Sequence, residues 1–144
     1  MSLTNFELQF LCSQRKLSHI CVYAEDLLNY HRAPGSYYVN IHHDHWTLLK
    51  IFKTHAFFFN SFGEPPPSQV LQFVGGLPLE MNAIKIQDDK SKRCGLFCLE
   101  CDYECKTTEG FQKYCHSFEP DTKLNDRIIL DRVKRSSFHR SSPS

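Results

Sequence analysis

Three runs of aromatic and β-branched residues, 36–41, 45–52 and 55–59, separated by the short polar breaks 42–44 and 53–54, constrain this chain more than any other stretch. Such residues suit a pleated, half-buried surface, and breaks that short join neighbouring antiparallel strands. The turn-rich Arg32, Ala33, Pro34 and Gly35 lead into this sheet, and Pro65, Pro66 and Pro67 close it. Ser68 is expected to cap a short helix over 69–74 that Gly75 and Gly76 end. A further strand over 82–86 should deliver Gln87, and the polar turn 88–93 should lead into a helix that starts at Cys94. That helix is apolar on most sides through Leu96, Phe97, Cys98, Leu99 and Cys101, the pattern of a helix buried in mid-domain. Thr4 followed by Glu7 reads as a capping box for a first helix with Phe6, Phe10 and Leu11 as its apolar face. Helices around 109–116 and 125–134, the second capped by Asn125, complete an α+β domain over residues 1–134. Residues 135–144 are basic, rich in serine and expected to be disordered.

The 144 residues are enough for one core, and 41% hydrophobic content with 12 phenylalanines belongs to a globular chain. A net charge of +1 gives little global attraction to nucleic acid, so any such binding needs a local patch. Arg132, Lys134, Arg135 and Arg140 form one, with no carboxylate side chain from residue 132 onward. No apolar run reaches the roughly 18 residues of a membrane span, and the start lacks the basic flank of a signal peptide. The protein is therefore expected in the cytosol or nucleus with no membrane partner. Seven cysteines, an odd count, favour free thiols over a disulfide framework.

The chemistry concentrates at four positions. A cysteine at a helix N-terminus meets unpaired amides and the positive end of the helix dipole, which favour thiolate; Cys94 is placed there. Alone it would read more readily as a small buried hydrophobe, and Gln87 and His45-Trp46 at matching positions turn the reading toward catalysis. His45 is distinguished from its neighbours His42 and His43 because Trp46 and a strand follow it, whereas the other two fall in the preceding turn; His55 reads as structural. The Gln87 amide can donate to a carbonyl oxygen that becomes an oxyanion while Cys94 attacks the carbon and His45 takes the thiol proton. Asn60 can orient the imidazole through its carbonyl oxygen, or simply start the turn that ends at Gly63. The cysteines Cys94, Cys98, Cys101 and Cys105 also permit a cluster or zinc reading, the latter with Cys115 or His116. Helical spacings of four and three more often mark one packed face, so no metal is expected.

At these residues the chain resembles the adenain family, the processing proteases of adenoviruses and of related Polinton and adintovirus-like elements. Its members look like His-Trp, then an acidic residue before a Phe-Gly turn, then Gln seven positions before Cys-Gly-X-Phe/Tyr-Cys. Here these are His45 and Trp46, Asn60 before Phe62 and Gly63, Gln87, and Cys94, Gly95, Phe97 and Cys98. Weaker likeness covers residues 3–5, 37–40 and 124–127. The resemblance implies a papain-like cysteine protease fold of adenain type, with a mixed or antiparallel sheet and the nucleophile at the N-terminus of a buried central helix. It implies a cysteine endopeptidase that processes precursor polypeptides of a virus or virus-like element at glycine-containing sites, in the host nucleus and the virion. His45, Asn60, Gln87 and Cys94 would be its catalytic residues, with no cofactor needed for the chemistry. An activating viral peptide added as a strand, and DNA, would be partners by the same likeness; with no cysteine between Cys21 and Cys94, a disulfide link to that peptide in this region is excluded. SUMO- and ubiquitin-specific proteases share the layout, and an inactive, domesticated binding module would keep the same fold. The one departure at the site is Asn60, where the family carries a carboxylate.

Overall fold

A computed structural model describes residues 4–14 and 19–141. Its centre is a five-stranded sheet of order β1 (His19–Tyr23), β2 (Gly35–Ile41), β3 (His45–Ile51), β4 (Ala56–Phe59) and β5 (Leu79–Met81). The three aromatic runs form β2, β3 and β4, antiparallel to one another as expected. The edge strands β1 and β5 join them in parallel, so the sheet is mixed. Side chains alternate between its faces. Tyr38, Trp46, Leu48, Phe57 and Phe59 enter one core, while Tyr37, Val39, Leu49, Ile51 and Phe58 enter a second on the opposite side. Both faces being covered, these strands read as continuous apolar runs.

The first core packs the sheet against α1 (Asn5–Gln14), α3 (Cys94–Glu104), α4 (Thr108–His116) and α5 (Thr122–Ser141). The second packs it against a 3-10 turn (Ala24–Asn29) and α2 (Ser68–Val74). The arrangement is α+β, with α3 the buried central helix. Asp102, fully buried near the end of α3, accepts hydrogen bonds from Ser36 Oγ and Tyr38 OH at 2.7 Å each and pairs with Lys50 Nζ at 2.9 Å. Lys50 also donates to the Asp102 and Cys105 carbonyls at 3.1 Å, closing the last turn. A buried carboxylate is tolerable only with such a full set of partners, and here the partners of the carboxylate come from the sheet.

The capping box forms as expected, Thr4 N donating to Glu7 Oε1 and Glu7 N to Thr4 Oγ1 at 3.1 Å each. Among the described side chains of α1, Leu8 and Cys12 are buried and Leu11, as expected, packs partly buried against the core, whereas Phe10 is 62% exposed; the Phe6 side chain lies outside those described. The strand expected over 82–86 is irregular backbone, because the partner edge of β4 is already taken by Leu79–Met81. Ser68 lies inside α2 and Pro67 precedes it without a side-chain cap. Asn125 does not cap a helix but is buried within α5, bonding Ile86 O, Glu119 O and Glu119 N at 2.8 to 2.9 Å. The α5 backbone is helical through Ser141, and the stretch 135–141 contains neither Gly nor Pro to stop the helix before Pro143. Residues 142–144 fall outside the described residues. None of the described helices is long and apolar enough to cross a membrane.

Candidate active site

The sheet, α3 and the irregular segment between β5 and α3 bring all four expected residues to one place. His45 opens β3 and Asn60 follows the last residue of β4, two adjacent antiparallel strands whose ends lie side by side. His45 Nε2 meets Asn60 Oδ1 at 2.9 Å. The same oxygen accepts from the backbone N–H of Phe62 at 2.9 Å. An atom that accepts from an amide N–H is the carbonyl oxygen, so His45 must donate through Nε2, and in the neutral ring the lone pair resides on Nδ1. The imidazole also stacks on Phe62, with centroids 4.4 Å apart and planes 19° apart. Asn60 is held in turn by Asn82, whose Oδ1 accepts from Asn60 N at 3.0 Å and whose Nδ2 donates to Asn60 O at 2.7 Å. The turn closes at Gly63, which has φ of +73° and would bring a Cβ to 3.0 Å from the 83–84 backbone. Both reasons call for glycine.

Cys94 is the first residue of α3 and is stitched to the strand beside His45. Its Sγ accepts from Trp46 N at 3.3 Å, and one turn later Cys98 Sγ donates to Trp46 O at 3.3 Å. The two peptide groups of a buried tryptophan thus fix the start of α3 against β3. The hairpin before His45 carries positive φ at His42 (57°) and His43 (64°), the signature of a type I′ turn built without glycine. His43 is steadied by stacking on Tyr23 at 4.3 Å and by Glu25 Oε1 at 2.5 Å.

Gln87 is buried and held from several directions. The Ser61 carbonyl accepts from both Ile86 N and Gln87 N at 2.8 Å, and Ser61 Oγ donates to Gln87 Oε1 at 2.5 Å. With its oxygen so engaged, the side-chain nitrogen is the donor end. It gives one hydrogen to Ser91 O at 2.9 Å, leaving the second for a ligand. The 88–93 turn is anchored to α5: Ser91 Oγ donates to Asp126 Oδ1, and Arg93 Nη1 reaches Asp126 Oδ2 at 2.5 Å and Asp126 O at 3.1 Å. His45, Phe62, Gln87, Ser91 and Cys94 line a single cavity of about 460 Å³.

Electrostatics set the resting protonation. Burial holds His45 below the usual histidine range, against the Asn60 hydrogen bond and the Glu64 and Asp44 carboxylates that favour its charged form. Burial likewise pushes the Cys94 thiol up, although the amides of Trp46, Gly95 and Cys94 itself favour thiolate; Asp44 adds to the rise. The depressed thiol expected from the helix N-terminus is therefore not what the enclosed site produces. Burial thus favours the neutral forms of both the thiol and the imidazole, which line the same cavity. Cys98 and Cys101 are pushed far higher by complete burial, and Cys21 and Cys115 to about 12.

The cysteines that follow serve packing: Cys101 in α3 and Cys105 just after it place their sulfurs 3.8 Å apart in the core. Among the described residues no group of three or more His, Cys, Asp or Glu is disposed to hold a metal ion. Of the expected basic patch, Arg132 is engaged with Glu100 at 3.3 Å and lies 4.6 Å over the Phe118 ring. Lys134 and Arg135 are exposed. Sequence reasoning missed Ser61, Asn82, Ser91 and Asp126. Ser61, beside Asn60 in a polar turn, carried the only local signal; the others act across 4 to 35 residues of sequence.

Compared with models of known protein families and with curated proteins, the sequence matches none.

Proposed function

We propose that this protein is a cysteine endopeptidase of adenain type. The observation that carries the reading is the cavity shared by Cys94, His45 and Gln87, in which Asn60 fixes the histidine so that Nδ1 is its basic atom. A thiol beside a base that a third group orients is the arrangement nucleophilic catalysis needs. In the reaction, His45 Nδ1 accepts the Cys94 proton as Sγ bonds to the scissile carbonyl carbon. The oxyanion accepts from the free N–H of Gln87 and from the Cys94 amide at the start of α3. Collapse breaks the C–N bond, the amine leaves with the proton held by His45, and a water activated by the neutral ring then cleaves the thioester to regenerate the thiol. Two neutral partners that exchange a proton only during attack suit the buried pair described above.

The likeness at His45, Trp46, Gln87 and the Cys94–Cys98 segment supports precursor polypeptides of a virus or virus-like element as substrates, and the host nucleus and virion as places of action. The papain-like arrangement of adenain type agrees with a nucleophile on a central helix packed against a mixed sheet. Strand addition of an activating peptide would use an edge, β1 or β5. DNA contact would rest on Lys134, Arg135 and Arg140, since Arg132 is committed to Glu100. The reading is tested by exposing a complex peptide mixture to the protein and sequencing the new termini by mass spectrometry. New termini that vanish with Cys94→Ala support it; an unchanged mixture, or termini that persist with Cys94→Ala, would refute it.

A further inference from the structure

The walls of the active-site cavity are charged in an uneven way. Asp44 stands on the His45 side, at the end of the β2–β3 hairpin, and acts electrostatically on both His45 and Cys94. Asp89, Lys90 and Lys92 come from the 88–93 turn on the Gln87 side. Asp89 is neutralised by an ion pair with Lys85. Neither Lys90 nor Lys92 has a carboxylate partner among the described residues, and Asp44 has no cationic one. Asp88 in the same turn, which accepts from Lys90 N, offsets part of this charge, so the cleft has an excess of positive charge on one wall and a negative charge on the other, the thiol between them.

The turn that carries these lysines is not loose. Ser91 lies between them in sequence, and its hydroxyl and carbonyl are bound by Asp126 and Gln87 respectively. Lys90 N donates to Asp88 Oδ2 at 3.2 Å, and Arg93 grips Asp126. The backbone at 90 and 92 is therefore fixed relative to the oxyanion donor, while the two ammonium groups remain on exposed side chains at the rim. A concave site with one sign of charge on a wall focuses its field on the bound chain, and a fixed backbone restricts which substrate position meets that field.

Resting on the peptidase reading above, we propose that the cleft selects peptides with an acidic side chain beside the scissile bond, held by Lys90 and Lys92. Asp44 disfavours an acidic residue on the opposite side of the bond and so sets the direction of the preference. The substrate class is a polypeptide with a carboxylate at one of the positions flanking the cut.

The test uses peptides built around a sequence the protein cleaves, with Glu, Gln or Lys placed in turn at each of the positions flanking the cut. An exposed ion pair contributes up to about 1 kcal/mol, so one lysine gives up to about 5-fold and both up to about 30-fold in kcat/KM for Glu over Gln at the matching position. The preference should fall several-fold in about 0.5 M salt, where screening is strong. Lys90→Glu/Lys92→Glu should reverse it toward Lys, and the milder Lys90→Gln/Lys92→Gln should flatten it. Cleavage of all the peptides at equal rates by the unaltered protein would overturn the inference and leave the peptidase reading standing. A preference for Glu that survives in both double variants would also overturn it. Failure to cleave any peptide would overturn the peptidase reading and this inference with it.

Discussion

Replacing Asn60 by aspartate tests the architecture of the site at its most specific point. Asn60 Oδ1 lies 2.9 Å from His45 Nε2 and 2.9 Å from Phe62 N, and both donors can bond equally well to a carboxylate oxygen. The change therefore keeps the geometry and adds a negative charge against the ring. An opposite charge at such a distance raises a histidine pKa by roughly 1–3 units, or about 1.4–4 kcal/mol in favour of imidazolium. The sign follows from the mechanism: the base must be neutral to take the thiol proton, so activity is lost as pH falls through the His45 pKa. In the unaltered protein burial holds that pKa below the usual histidine range, and the acid limb of kcat/KM should lie correspondingly low. In Asn60→Asp it should move to higher pH by roughly one unit or more, with full or higher activity above it. Asn60→Ala is the contrasting change. It strands the Phe62 N–H beside a residue that is 2% exposed, costing about 1–3 kcal/mol in urea unfolding, and frees the imidazole to turn, so kcat should fall at every pH. Acid limbs that coincide for the unaltered protein and its Asn60→Asp variant, measured as kcat/KM from about pH 4 to 9, would refute the assignment of Asn60 as the group that orients the base.

Gln87→Ala should lower kcat by about 10²–10³-fold with little change in KM, the scale of one lost oxyanion donor, as measured by steady-state peptide cleavage. Asp126→Ala releases both Ser91 and Arg93; because that ion pair is one quarter to one third exposed, its loss should cost only about 1 kcal/mol of stability. The same variant should nevertheless reduce kcat by roughly 10- to 100-fold through displacement of the Gln87 amide, and Asp126→Glu should recover part of it. If the protein binds DNA through the end of α5, Lys134→Ala/Arg135→Ala should reduce the slope of log affinity against log salt by up to about 2, whereas Arg132→Ala should act mainly on stability, read by thermal unfolding.

The three central strands were legible because they obey local rules, and the four central residues because their order and spacing match a known pattern. Three aromatic runs with short polar breaks can hardly be anything but β2, β3 and β4, and a cysteine that opens an apolar run after a polar turn announces the start of α3. What was not legible depends on distant partners. Val22 in β1 and Leu79 in β5 sit in short strands whose pairing with β2 and β4 spans 17 and 23 residues at those registers, with no alternation of their own to reveal it. Asn125 offered an attractive cap because its type favours helix ends, yet three hydrogen bonds to the 86 and 119 backbones draw it inside. The thiol shows the same limit: the helix terminus that favours thiolate can be inferred from a sequence, whereas the burial that outweighs it cannot.

The most direct test is covalent capture of the nucleophile. A peptide carrying a thiol-reactive acyloxymethyl ketone should label the folded protein at one site, which peptide mapping places at Cys94, the cysteine that opens on the cavity with His45 and Gln87. Raising the pH from about 5 to about 8 should increase the rate as His45 becomes an available base, and His45→Ala should abolish most of that increase. Labelling spread over several of the seven cysteines, or labelling of Cys94 at the same rate and with the same pH dependence in His45→Ala, would contradict the account.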